Sequence, residues 1–419
     1  MTQSNRSDPG CAIEAKLPRR DWIVLPMLSL LTILLLALSL ESTTWWLFPS
    51  SESGLDACFV KDDPSGNAGP KPNSVCSERI VESRLAAEYR FNSCGHRAGV
   101  ECGPKTQGTY RIVMIGSSVA MGLFVPREKT FAALLPAELS QQTGRKIEIY
   151  NESMGGRFRG GAFPTKSSAP RFKEALEANP DMILWILTPM DIENASFDNS
   201  SPAQPPSAEV ASVPGEDKNR FVSSWNKLQV AFAAGTLEDK VRDRWEETKA
   251  SVVLKHMLYE SESQDQYVKS YLQNEDEAGF LKAAPNEKWQ RDLEEFQVYA
   301  TEFISEARAA KVPLVAVLVP NRAQAAMISQ GEWPDSYDPY KLDDELHTMI
   351  VSRGGIYIDI LPDFRGIPNP ERHYFPVDGH LDAEGHAMIS ELLDKELVGG
   401  AFPPLRVISP PQVALERNR

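Results

Sequence analysis

Trp22 to Leu40 constrains this chain more than any other stretch. It is nineteen consecutive residues without a charge and includes the run LSLLTILLLALSL. In a helix these residues span roughly 28 Å, close to the hydrocarbon thickness of a bilayer. The stretch therefore reads as a membrane-spanning helix, and everything else must fall on one side or the other. Lys16, Arg19 and Arg20 precede it, which predicts a cytoplasmic N-terminus and an extracytoplasmic bulk. Trp45, Trp46 and Phe48 follow at the depth of an interfacial aromatic belt. A cleaved signal peptide is the rival reading, with Ala37-Leu38-Ser39 as a tolerable cleavage site. The leading segment is long for one, and an uncleaved anchor is favoured.

The cysteines respect that division. Cys11 precedes the apolar run, whereas Cys58, Cys76, Cys94 and Cys102 follow it within one short region. An even number on one side indicates two disulfides in an oxidising compartment, with three pairings open. The shortest loops would come from Cys58–Cys76 and Cys94–Cys102. No CxxC pair is present, which weighs against a zinc site. The net charge of −14 argues against nucleic acid as a partner.

From Tyr110 the chain alternates between short apolar runs and segments of helical spacing. Ile112–Ile115, Lys146–Tyr150, Asp181–Leu187, Val312–Val319 and Ile356–Ile360 read as strands. Trp289–Ala310 and Ala383–Leu397 read as helices, and Ala169–Ala178 as a shorter one. Such alternation predicts an α/β protein whose parallel sheet is covered on both faces. The predicted organisation is a tail (1–21), an anchor (22–40), a cysteine-containing collar (41–107), an α/β domain (108–400) and a C-terminal tail (401–419). The pattern lapses between 196 and 287, where Phe221–Phe280 is charged and helix-favouring; this reads as a helical insertion able to serve as a lid or a surface for an envelope protein partner. Within the collar, SERIVESRLAAEYRFNS (77–93) reads as a helix.

The chemistry-bearing residues sit at strand ends. Gly116-Ser117-Ser118 follows the first strand, so a hydroxyl is placed at the carboxyl edge of the sheet, where open α/β sheets bind ligands. The bland alternative is that these serines only cap the next helix. Asp378-Gly379-His380 lies in the loop feeding the last helix. An acid on one imidazole nitrogen and a serine on the other make a hydrolytic triad. His386 falls inside that helix and reads as structural.

Gly116–Ser118, Asn151-x-x-x-Gly155-Gly156 and DGHLDAEGH (378–386) together resemble the SGNH (GDSL-like) hydrolases over Tyr110–Leu397, interrupted by the insertion. The resemblance implies a flavodoxin-like three-layer α/β/α sandwich with a parallel five-stranded sheet. It implies Ser118 as nucleophile, His380 as general base, Asp378 as its orienting acid, and the N–H groups of Ser118 and Gly156 as oxyanion donors, with Asn151 opening the second block. Neither metal nor cofactor is implied. The expected activity is hydrolysis of small acyl, above all acetyl, oxygen esters on a small molecule or an envelope glycan. Acyl transfer with the same triad, or a degenerate binding protein of the envelope, are the alternatives.

The chain departs from the family pattern at three places. Ser117 replaces the usual Asp before the nucleophile, and Val377 occupies the family's more usual acid position. In Leu187-Thr-Pro-Met190-Asp191, Met190 stands where the family offers an Asn side chain to the oxyanion. A thioether cannot donate a hydrogen bond, so Asn194, Thr188 or Asn321 would have to substitute, with Asp191 organising the loop. Arg157, Arg159 and Arg322 would lie near the site and suit an anionic or polyhydroxylated substrate.

Overall fold

The computed structural model describes residues 20–47, 54–59, 69–83, 86–153, 172, 175–193, 248–275 and 277–405. Five strands form one parallel sheet: β3 (Thr109–Gly116), β4 (Lys146–Asn151), β5 (Met182–Leu187), β6 (Leu314–Leu318) and β7 (Ile356–Ile358), in the order β4-β3-β5-β6-β7. All of β5 and β6 is buried. Continuous apolar runs are what a strand covered on both faces requires. Renumbered along the sheet, the order is the 2-1-3-4-5 of doubly wound, flavodoxin-like folds.

Crossover handedness sets the layers. The chain leaves β3 through α2 (Ser118–Met121) and α3 (Phe131–Thr143) and moves one way along the sheet to β4. It leaves β5 through α4 (Pro189–Glu193) and reaches β6 in the opposite direction after α7 (Glu287–Ala309). Right-handed crossovers therefore put α3 and α7 on opposite faces. After β6 come α8 (Arg322–Gln330) and α9 (Lys341–Ser352), and α9 packs beside α7. The last helix, α10 (Ala383–Glu396), returns to pack on α3. Trp185 of β5 lies 5.4 Å from the Phe296 ring and 5.3 Å from the Phe303 ring of α7, so it is a core residue.

At the N-terminus, α1 (Asp21–Leu47) is long and apolar enough to cross a membrane from Trp22 onward, and none of its apolar window is buried. It runs seven residues beyond the Leu40 end read from the sequence, which stopped at the charge of Glu41. That charge does not end the helix because the Glu41 carboxylate accepts hydrogen bonds from the N–H groups of Lys249 and Ala250, at 3.2 and 2.9 Å, and from Trp45 Nε1 at 2.8 Å. Those N–H groups open α5 (Lys249–Ser261), which α6 (Gln264–Gln273) follows; both belong to the insertion.

The collar differs from its sequence reading. In place of a helix over 77–93 there is an antiparallel hairpin of β1 (Val75–Glu78) and β2 (Ala87–Arg90). Ala87 and Tyr89 are buried while Glu88 and Arg90 are exposed, a period of two that overrides the helix-favouring composition. The disulfides are Cys58–Cys76 and Cys94–Cys102, so the first fastens β1 to the preceding turn. The hairpin is not an isolated linker: Leu55, Phe59, Tyr89 and Phe91 share a small core with Met121 and Leu123 of the α/β domain.

Candidate active site

Between β3 and β5 the order of the sheet reverses, and this is where a doubly wound sheet opens a crevice at its carboxyl edge. Gly116 ends β3 against β5: a Cβ there would stand 2.6 Å from the Ile186 carbonyl oxygen and 2.7 Å from the Ala120 Cβ. Only a glycine lets the strand turn this tightly into α2. Ser117 sits before the helix and Ser118 is its first residue.

Ser118 Oγ lies 2.6 Å from His380 Nε2, and His380 Nδ1 lies 2.6 Å from Asp378 Oδ1. A carboxylate only accepts, so the Nδ1 proton belongs on that side, and Nε2 is left as the acceptor for the Ser118 hydroxyl. The structure thus brings Ser118, His380 and Asp378 into one hydrogen-bonded line. Ser118 is buried, while the His380 and Asp378 side chains remain 19% and 27% exposed, which leaves the line open to a ligand. The Phe124 ring stands edge-on to the imidazole, 5.7 Å away.

His386 has a different role. Its Nδ1 accepts from the Phe131 N–H at 3.4 Å, and complete burial pushes its pKa down to about 3. It is a neutral packing residue joining α10 to α3.

Of the other residues singled out above, Asp191 ties the ends of two strands together. Its Oδ2 accepts from the Thr188 N–H at 2.8 Å, the Thr188 hydroxyl at 2.7 Å and the Ser117 hydroxyl at 3.2 Å. The residue as a whole is only half-buried, but its carboxylate is enclosed. Burial, only partly offset by the bonds from Thr188 and Ser117, raises its pKa to about 6. Met190 beside it is 53% exposed. Thr188 is occupied by Asp191, and Asn321 caps α8 through Gln324 N–H and donates to the Tyr271 hydroxyl.

Two expected site residues face elsewhere. The Asn151 amide donates to the Ala120 carbonyl at 2.8 Å and its oxygen accepts from Ser153 N–H at 3.0 Å. Asn151 is buried and clasps the end of β4 to α2, so its amide is not presented to a ligand. Arg322 is also buried. It donates to the carbonyls of Glu371 and Pro376 at 3.1 and 2.7 Å, and its guanidinium lies 4.1 Å over the Tyr267 ring. Its charge is engaged by backbone and ring, so it holds the loop that carries Asp378 and does not stand ready for an anionic substrate. Gly156, Arg157, Arg159 and Asn194 lie outside the described residues.

Three residues of the collar support the site and carry no motif that would reveal them. Glu82, its side chain 2% exposed, accepts from the N–H groups of Val377 and Asp378 at 2.8 and 2.9 Å. Arg97 donates to the carbonyls of Met121, Gly122 and Val125, each at 2.7 Å, at the carboxyl end of α2. Burial lowers its pKa to about 10, still charged at neutral pH. The Tyr89 hydroxyl accepts from Phe124 N–H at 2.7 Å and fixes that residue at φ 63°. A cavity of about 260 Å³ adjoins the Asp378 loop, walled by Glu82, His256, Tyr259, Arg322, Phe375 and Pro376 among others.

No protein-family model matches the chain, and no curated protein matches it either. Among solved structures the chain is similar to TesA, at 10% identity and a TM-score of 0.35, over 71% of this chain and 99% of that one. It is also similar to the lipase/acylhydrolase from Enterococcus faecalis, at 11% identity and a TM-score of 0.33, over 69% of this chain and 96% of that one. The fold class rests on the strand order above and not on these distant likenesses.

Proposed function

We propose that the protein is a membrane-anchored serine esterase. It would act outside the cytoplasm on small acyl groups, acetyl foremost, carried as oxygen esters on an envelope glycan. The observation that carries this reading is the unbroken line Asp378–His380–Ser118 at the switch point of the sheet. His380 Nε2 takes the Ser118 proton as Oγ bonds to the ester carbonyl carbon. The carbon–oxygen bond to the alcohol then breaks, and His380 returns the proton to the leaving oxygen. A water, deprotonated by the same imidazole, releases the acid and regenerates Ser118. Asp378 holds the tautomer and stabilises the transient imidazolium. The Ser118 N–H, at the start of α2, is the donor to the oxyanion. Placement outside the cytoplasm is supported by the apolar α1, by the basic residues before it and by two disulfides after it.

Full-length protein in detergent should hydrolyse p-nitrophenyl acetate, and Ser118→Ala should lower kcat/KM by about 10⁴-fold or more. Unchanged turnover in that variant would remove Ser118 from the reaction. Met190 motivates a second reading, a site that binds esters without turnover. Absence of hydrolysis by the unmodified protein, with ester binding retained, would select it.

A further inference from the structure

Helix α5 carries an apolar stripe that the described residues leave exposed. Leu254, Met257 and Leu258 are 48%, 63% and 59% exposed. They stand at i, i+3 and i+4, on one face of the helix. The stripe extends a face that begins at Ala250, which is 1% exposed where α5 meets α1. At that junction Glu41 caps the first N–H groups of α5, and the Lys249 ammonium lies 3.9 Å over the Trp45 ring. Trp45 and Trp46, 54% and 80% exposed, mark the end of the apolar span at the level where α5 starts. The unburied apolar span of α1 and the exposed apolar face of α5 therefore meet at this junction.

We propose that α5 lies on the lipid surface through Leu254, Met257 and Leu258, a second membrane contact beside the α1 span. The proposal rests on the reading of α1 as a membrane anchor. The occupant is the bilayer because the stripe adjoins α1, whose apolar window is unburied. An amphipathic helix of this kind buries its apolar face at the headgroup–acyl boundary. The other side of α5 presents His256 and Tyr259 to the cavity beside the Asp378 loop, and His256 Nδ1 stands 3.3 Å from Glu82 Oε1. A helix is roughly 10 Å thick. Docking on lipid would thus hold the cavity beside the Asp378 loop about one helix diameter above the lipid surface.

The test uses the full chain with Cys11→Ser, so that one introduced cysteine is the sole unpaired thiol. Met257→Cys, Leu34→Cys in α1 and Val351→Cys in α9 are each labelled with the environment-sensitive fluorophore NBD. Each protein is reconstituted into phosphatidylcholine–phosphatidylglycerol vesicles with or without lipids bearing a nitroxide at acyl carbon 5. The proposal expects about twofold or greater quenching at 257 and at 34, and none at 351. No quenching at 257 with quenching at 34 would overturn the α5 contact while leaving the anchor intact. No quenching at 34 would overturn the anchor reading and this proposal with it.

Discussion

At the scale of single residues, Glu82 makes the sharpest claim. Its two oxygens hold the N–H groups of Val377 and Asp378, so it positions the acid of the triad without touching substrate. Glu82→Ala should lower kcat on p-nitrophenyl acetate about 10–100-fold with KM little changed, because a small misplacement of the acid weakens His380 in the transition state only. Glu82→Gln retains one acceptor and should fall between. A purely structural role would lower the melting temperature of both variants and leave the kcat of the folded fraction intact. Asp191 makes a prediction about pH. Its folded pKa of about 6 lies above the ordinary 3.8, so its neutral form favours the native state. The contribution is complete below about pH 4 and is lost as pH rises through 6. Asp191→Asn should remove that component, flattening the decline in unfolding free energy between pH 4 and 6.5 by about 2 kcal/mol. Denaturant midpoints across that range measure it. Ser118, His380 and Asp378 stood out through the resemblance of their sequence blocks, taken together, to a known hydrolase family, because each turn alone also reads as an ordinary capped or polar loop. It hid Glu82, whose partners lie 295 and 296 positions away and involve only backbone N–H groups, which leave no mark on a sequence.

Among the elements, the β3–α2 turn depends on Gly116. A methyl group there meets backbone oxygen and not a movable side-chain end, so β5 or α2 must shift. Gly116→Ala should destabilise the protein by about 2–3 kcal/mol and displace Ser118 from His380, lowering turnover beyond what the loss of folded protein explains. Thermal melting and kcat of the soluble fraction report the two effects separately. The sheet strands were legible because central parallel strands such as β5 and β6 are continuous apolar runs, and all five strands fall where short β-favouring runs lie. The collar was not legible. Glu and Arg favour helix in isolation, but Tyr89 and Ala87 alternate with Glu88 and Arg90 against a core that includes Met121. That core belongs to a segment some thirty residues later, and no local window contains it. Arg322 departs from its reading for a related reason: a cation just after a strand end suits an anionic substrate, yet here carbonyls and the Tyr267 ring enclose it.

For the whole molecule, the collar ties the proposed anchor to the site. Its disulfides close loops of 18 and 8 residues, and the longer is worth about 3 kcal/mol in chain entropy. Reduction should therefore lower the melting temperature and also depress turnover, because Glu82, Tyr89 and Arg97 reach the site from this stapled region. Activity and melting measured with and without dithiothreitol test both effects. The layered architecture and the switch-point crevice follow from strand order alone, whereas the attachment of collar and insertion to that crevice depends on side-chain contacts that a linear pattern does not encode. The central claim is that Ser118 is an activated nucleophile. Full-length protein treated with a fluorophosphonate probe, digested and mapped by mass spectrometry measures this without knowledge of the substrate. The account predicts one covalent adduct on Ser118 that His380→Ala abolishes. An adduct on another residue, or equal labelling of the Ser118→Ala protein, would contradict it.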